Sequence, residues 1–171
     1  MTAHFQSKLS TPAEKFSLLH SRIRQNIIRL ILLTGNSQNK RKFLDNCLMN
    51  ASVEHINLGR LLSEYLHDKS SSDLGMETGD FLRNLCYGKD IYVDNVEILF
   101  DNGMELDPIM TLKNAARTRL VVVNWPGNID NEYLMLFFAK GDSMEKCFSL
   151  DTEIFLLDES GFTYPECDET M

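Results

Sequence analysis

Two runs, Leu30-Ile31-Leu32-Leu33 and Leu120-Val121-Val122-Val123, are apolar at every position. A strand with one face in water alternates polar and apolar residues, so a run without alternation must be covered on both faces, as the inner strands of a parallel sheet are. That demand puts helices on both sides of a sheet, and the chain supplies them. Thr11-Pro12-Ala13-Glu14 combines a capping hydroxyl, a proline suited to the first helical position and an acid that reaches back in a capping box. A helix is expected from there to about Gln25, with Phe16, Leu19, Ile23 and Ile27 at helical spacing.

After Thr34-Gly35 the pattern predicts a short helix over Lys40 to Leu48, a strand over Val53 to Leu58, and a helix over Arg60 to His67. The Ser-rich stretch Lys69 to Gly79 reads as a mobile loop. A helix near Asp80 to Cys86, a strand Ile91 to Val93 and a helix from Asp107-Pro108 to about Arg117 follow. Tyr133 to Phe138 reads as a fifth strand of the sheet, and Ile154 to Leu157 as an edge strand or a short terminal helix. Alternation of strands with helices favours an α/β three-layer sandwich around a mainly parallel five-stranded sheet with right-handed crossovers. A chain of 171 residues, 43% of them hydrophobic, suits one domain. Its expected limits are 12–158, between a flexible N-terminus over 1–11 and an acidic tail over 159–171.

The formal net charge of -8 argues against a generic basic nucleic-acid coat. The charge is uneven, however. Residues 22–42 hold Arg22, Arg24, Arg29, Lys40, Arg41 and Lys42 and no acid, whereas residues 142–171 hold nine acids and one base. Cys47, Cys86, Cys147 and Cys167 form no CxxC pair and suggest reduced structural thiols rather than a zinc module. The first residues lack a signal-peptide core, and no apolar stretch has spanning length, so a cytoplasmic protein with no membrane partner is expected.

In such a sheet ligands bind beyond the carboxyl ends of the strands. Thr34-Gly35-Asn36-Ser37-Gln38-Asn39-Lys40-Arg41 follows the first strand, with residues that tolerate the backbone of an anion-binding loop and a Lys placed to reach terminal phosphates. With Lys40 in the Walker A lysine position, Thr34 stands for the first Gly, Asn39 for the second and Arg41 for the magnesium-binding hydroxyl. A polar turn between a strand and a basic helix gives the same pattern. Asp94 closes the strand Ile91 to Val93, where a P-loop protein places the acid of its magnesium shell, although an Asp-Asn turn also ends strands. Asn95 occupies the place where many hydrolases of this class carry a water-polarising Glu, and Glu97 lies close by. Asn124, after the fourth strand, suits a γ-phosphate or an attacking water, while Trp125 reads as a packing anchor.

Taken in order, these strand ends resemble the BrxF family, the small P-loop proteins of BREX phage-resistance systems. The resemblance is carried by Leu32 to Lys40, by Asn57-Leu58-Gly59, and by Val93-Asp94-Asn95-Val96-Glu97-Ile98-Leu99-Phe100-Asp101. Leu106-Asp107-Pro108 with Leu112, Arg117-Thr118-Arg119, and Val121 to Gly127 continue it, over roughly residues 28 to 158. It implies a P-loop NTPase-like core of the AAA+ kind that binds ATP or another NTP with magnesium. It also implies work beside a large ATPase, an adenine methyltransferase and a phosphatase-like protein of the defence system. Lys40 then matches the Walker A lysine, Asp94 the Walker B acid and metal ligand, and Asn124 the sensor position. The core ends too early for the helical lid usual in AAA+ proteins, so either a neighbouring subunit covers the nucleotide or nothing does, and a homo-oligomer is the expected state.

Arg117 and Arg119 suit an inter-subunit arginine finger or cations at a helix C-terminus. Arg22, Arg24, Arg41 and Lys42 suit DNA phosphate or a solvated basic face. His4, His20, His55 and His67 read as surface or helix residues.

Overall fold

The computed structural model describes residues 12–34, 45, 52–70, 72–85, 87–127, 129–130, 133–136, 146–149, 154–158 and 163–164. The helix expected over Lys40 to Leu48 lies outside them, apart from Asp45, which is helical. The first helix, α1, spans Pro12–Ile23, and the first apolar run becomes β1, Leu30–Thr34. Then come β2 (Glu54–Asn57), α2 (Leu58–Leu66), α3 (Leu74–Leu85), β3 (Ile91–Asp94), α4 (Pro108–Ala115) and β4 (Val121–Asn124). Two 3-10 turns, Val96–Phe100 and Asn102–Met104, precede α4.

The strand order is β2-β3-β4-β1-β8-β9, where β8 is Ile154–Asp158 and β9 is Thr163–Tyr164. Five of these strands run parallel, and β9 adds an antiparallel edge beyond them. The protein is therefore α/β with a five-stranded parallel sheet, as the alternation requires. The fifth parallel strand is β8 rather than Tyr133 to Phe138. Tyr133–Leu136 is β6 of a separate antiparallel sheet, between β5 (Ile129–Asp130) and β7 (Lys146–Ser149). Both segments are apolar enough for either place, and pairing with β1 decides between them. Ile154 to Leu157 is neither helix nor edge: β8 bonds to β1 on one side and to β9 on the other.

The register pairs Leu30 with Val121 and with Ile154. Alternate side chains therefore feed two separate cores. One joins Leu30, Leu32, Val93, Val121, Val123 and Leu156 to Leu58, Leu62, Leu82 and Leu112 of α2, α3 and α4. The other joins Ile31, Leu33, Tyr92, Val122 and Phe155 to Phe16, Leu19 and Ile23 of α1. Trp125 is fully buried and meets Phe100 edge-on, with ring centroids 5.3 Å apart, so it is the anchor its size suggested.

Capping fixes the helix starts. Asn57 accepts from the Arg60 amide at 3.0 Å, and Asp107 from the Met110 amide at 3.0 Å with Pro108 just inside α4. The stretch Lys69 to Gly79 is not a loop throughout, because α3 begins at Leu74. Gly75 and Gly79 read locally as breakers. Gly75 serves close packing instead: a Cβ there would lie 2.7 Å from the Met104 carbonyl oxygen. Thr78, one turn on, is fully buried and donates to Met104 Sδ at 3.7 Å.

Two predictions follow from this packing. Gly75→Ala gains helix propensity but forces backbone apart, so a net loss of about 1 kcal/mol or more is expected in urea unfolding. An unchanged midpoint and slope would show that α3 does not need that approach. His20 packs on Phe16, and burial followed by the charge of Arg24 lowers its pKa below the ordinary 6.5, against the opposing pull of Asp90. The unfolded chain therefore binds the proton more readily, and stability falls as pH drops through 6.5 towards the folded value. His20→Gln should flatten the pH slope of the unfolding midpoint in that window.

Candidate functional site

The parallel strands end on Thr34, Asn57, Asp94, Asn124 and Asp158, so the carboxyl edge of the sheet is polar throughout. The chain leaves β1 for β2, at one side, and leaves β4 for β8, at the other. Adjacent strands that send their loops in opposite directions define the switch point where α/β sheets bind ligands, here between β1 and β4.

Period-two alternation carries Asp94 and Asn124 on from Tyr92 and Val122, on the α1 face. Asn124 Nδ2 donates to Asp94 Oδ1 at 2.9 Å, and the Asn95 amide donates to the same oxygen at 2.9 Å. Asn95 makes this possible by adopting the left-handed conformation, φ 55 and ψ 51, which Asn tolerates better than most residues. The bond also orients the Asn124 amide, since reversing it would set two oxygens against each other. Among the described residues Asn124 Oδ1 is then left buried without a hydrogen-bond partner, and so is Thr34 Oγ1, whose residue is 1% exposed. Unpaired buried oxygens cost stability. The same alternation carries Thr34 on from Leu30 and Leu32, on the face of α2 to α4, opposite to that of Asn124.

Asp94 Oδ2 faces His55 Nε2 at 3.8 Å, and the His55 ring lies 4.9 Å from that of Tyr92. His55 is the surface residue expected, and its place beside the acid is set by strand pairing. Its signal was positional: it stands two residues before Asn57 on a strand whose register pairs it with Tyr92. Gly59 explains the motif Asn57-Leu58-Gly59, because its Cβ would lie 3.2 Å from Asn95 Cβ and 3.3 Å from the Asn95 oxygen. The first turn of α2 thus rests directly on the turn that positions Asp94.

Of the residues expected to act together, the fold unites Asp94, Asn95 and Asn124, with Thr34 at the end of the neighbouring strand. Glu97 lies exposed in a 3-10 turn, and among the described residues no hydrogen bond or ion pair joins it to Asp94. Gly35, Asn36, Ser37, Gln38, Asn39, Lys40, Arg41 and Lys42 lie outside the described residues. Arg22, Arg24, Arg117 and Arg119 sit at the other end of the sheet. Arg119 precedes β4 and Asn124 closes it, a separation of about 16 Å along an extended strand. Within one chain these arginines do not reach the candidate site.

No family model, curated protein or solved structure matches the chain. The chemistry of the site must therefore carry its interpretation. Asp94 Oδ2 and Asn124 Oδ1, on one face of the sheet, are hard oxygen donors, the type magnesium takes. Among the described residues no group of three His, Cys, Asp or Glu side chains converges to hold a metal ion.

Thr34→Val removes the buried hydroxyl without changing shape. We expect it to stabilise the fold by about 1 kcal/mol in denaturant unfolding, since an unsatisfied buried donor disappears. A destabilised variant would mean that the hydroxyl already serves the apo fold.

Proposed function

We propose that the chain is a P-loop NTPase-like protein that binds a nucleoside triphosphate with magnesium at the carboxyl edge between β1 and β4. By its resemblance to BrxF, it would serve as an assembled subunit of a BREX-type anti-phage system. Its partners there would be the large ATPase, the adenine methyltransferase and the phosphatase-like protein. The observation that carries the nucleotide-binding part is the Asn124 to Asp94 bond, which places an acid and an amide side by side next to the end of β1. Strand order supports it too. The strand bearing Asn124 is inserted between the loop strand and the acid strand, as in P-loop cores of the AAA+ kind.

In this reading Lys40 holds the terminal phosphates, Asp94 orders the magnesium shell, and Asn124 contacts the γ-phosphate or the attacking water. Any rate enhancement comes from positioning and electrostatics. Asn95 offers an amide where a water-polarising carboxylate would stand, so turnover is slow. Asn39 and Arg41 in place of the second Gly and the hydroxyl of the Walker A pattern weaken binding. That same departure favours the second reading, a non-enzymatic scaffold with a decayed phosphate loop that bridges DNA or partner proteins.

Titration calorimetry with magnesium ATP separates the two. Wild type should bind in the high-micromolar to millimolar range, and Lys40→Ala and Asp94→Asn should each weaken binding by at least about tenfold, or about 1.4 kcal/mol. Absence of binding by wild type in millimolar magnesium ATP, with and without DNA, would establish the scaffold instead.

A further inference from the structure

Asp94 uses its two carboxylate oxygens unequally. Oδ1 accepts from Asn124 Nδ2 and from the Asn95 amide, both at 2.9 Å, which occupies the lone pairs on that side. Among the described residues Oδ2 accepts no hydrogen bond, and the polar atom it faces is His55 Nε2 at 3.8 Å. That gap is too wide for a hydrogen bond. It is close to the separation of two donors on one metal ion, about 3.0 to 3.4 Å for bonds of roughly 2.1 Å at octahedral to tetrahedral angles. The His55 side chain is 64% exposed, so a small rotation of the imidazole closes the difference and an ion can reach it from solvent.

Strand pairing aims the ring. β2 sets His55 opposite Tyr92 and Asn57 opposite Asp94, so His55 and Asp94 share one face of the sheet, two residues apart in register. Buried Tyr92 lies against the imidazole with ring centroids 4.9 Å apart and limits where it can turn. Asn57, the direct register partner of Asp94, already commits its side-chain oxygen to the Arg60 amide at 3.0 Å. An imidazole nitrogen and a carboxylate oxygen are therefore left facing each other at the carboxyl edge.

We propose that His55 Nε2 and Asp94 Oδ2 together bind one divalent first-row transition ion in preference to magnesium. Carboxylate and water suit magnesium, whereas an imidazole nitrogen suits the transition ions and binds them more tightly along the series from manganese to nickel. With two protein donors, the remaining coordination positions go to water, and the ion exchanges readily. Lys40, Arg41 and Lys42 follow β1 in the sequence and lie outside the described residues. Protonated Lys and Arg have no lone pair to coordinate a metal, and their charge acts on every divalent ion alike. The two donors thus set the preference between ions. This site deepens, and rests on, the reading of Asp94 as the metal ligand, but it requires no nucleotide.

Titration calorimetry of the full chain with cobalt chloride or magnesium chloride, in slightly alkaline buffer without nucleotide, tests it. Wild type should bind cobalt at least about tenfold more tightly than magnesium and perturb the visible spectrum of the cobalt ion. His55→Gln should weaken cobalt binding by at least about tenfold while changing magnesium binding by less than about twofold. Asp94→Asn should weaken both. Wild-type cobalt affinity in His55→Gln would overturn the proposal, because the ion would then sit on other groups. Equal wild-type affinities for cobalt and magnesium would overturn it too, as the mark of a site built from oxygen alone. A protein that shows the expected cobalt pattern yet fails to bind magnesium ATP keeps this metal site and loses only the nucleotide reading.

Discussion

Everything in this fold hangs on the complete enclosure of β1. It is hydrogen-bonded to β4 on one side and β8 on the other, and its residues are buried on both faces. A strand so placed has no edge to leave exposed and no face that tolerates a polar residue until its last position. Thr34 is that position, the point where the core ends and chemistry begins. The neighbours repeat the pattern, with Val123 giving way to Asn124 and Val93 to Asp94. The candidate site is thus a by-product of burial: the first polar residue after each apolar run must emerge at the same edge, because the strands are parallel and in register.

Much of this was legible in advance, and the reasons are local. The apolar runs of β1, β3 and β4 needed no partner to be recognised, and the Asp107-Pro108 start of α4 is written in two residues. The parts that were not legible depend on distant contacts. The start of α3 is decided by Met104, far along the chain, which accepts the close approach of Gly75 and the hydroxyl of Thr78. The exchange of Tyr133 to Phe138 for β8 as the fifth parallel strand turns on which segment pairs with β1, a choice that apolar content cannot make.

The site shows the same division. Asp94, Asn95 and Asn124 stood out because each ends or follows an apolar run, and the fold joins them through one carboxylate oxygen. The nearness of His55 to Asp94 could not be read along the chain because it is set by the pairing of β2 with β3. Glu97 was close in sequence but is carried off by the 3-10 turn that begins after Asn95. Arg24 and Arg119, far apart along the chain, are brought to one cleft by the carboxyl end of α1 and the turn before β4. Sequence distance misleads in both directions, and strand register is the quantity that corrects it.

Asn57 has a consequence of another kind. It is the last residue of β2 and the N-cap of α2 at once, so strand and helix meet with no intervening linker. Gly59, two residues later, lies so close to Asn95 that a Cβ there would come within 3.2 Å of the Asn95 Cβ, and the Asn95 backbone amide holds Asp94. The start of α2 and the turn that presents the acid therefore share one packing contact, and no loop separates the edge of the sheet from the helix that follows it.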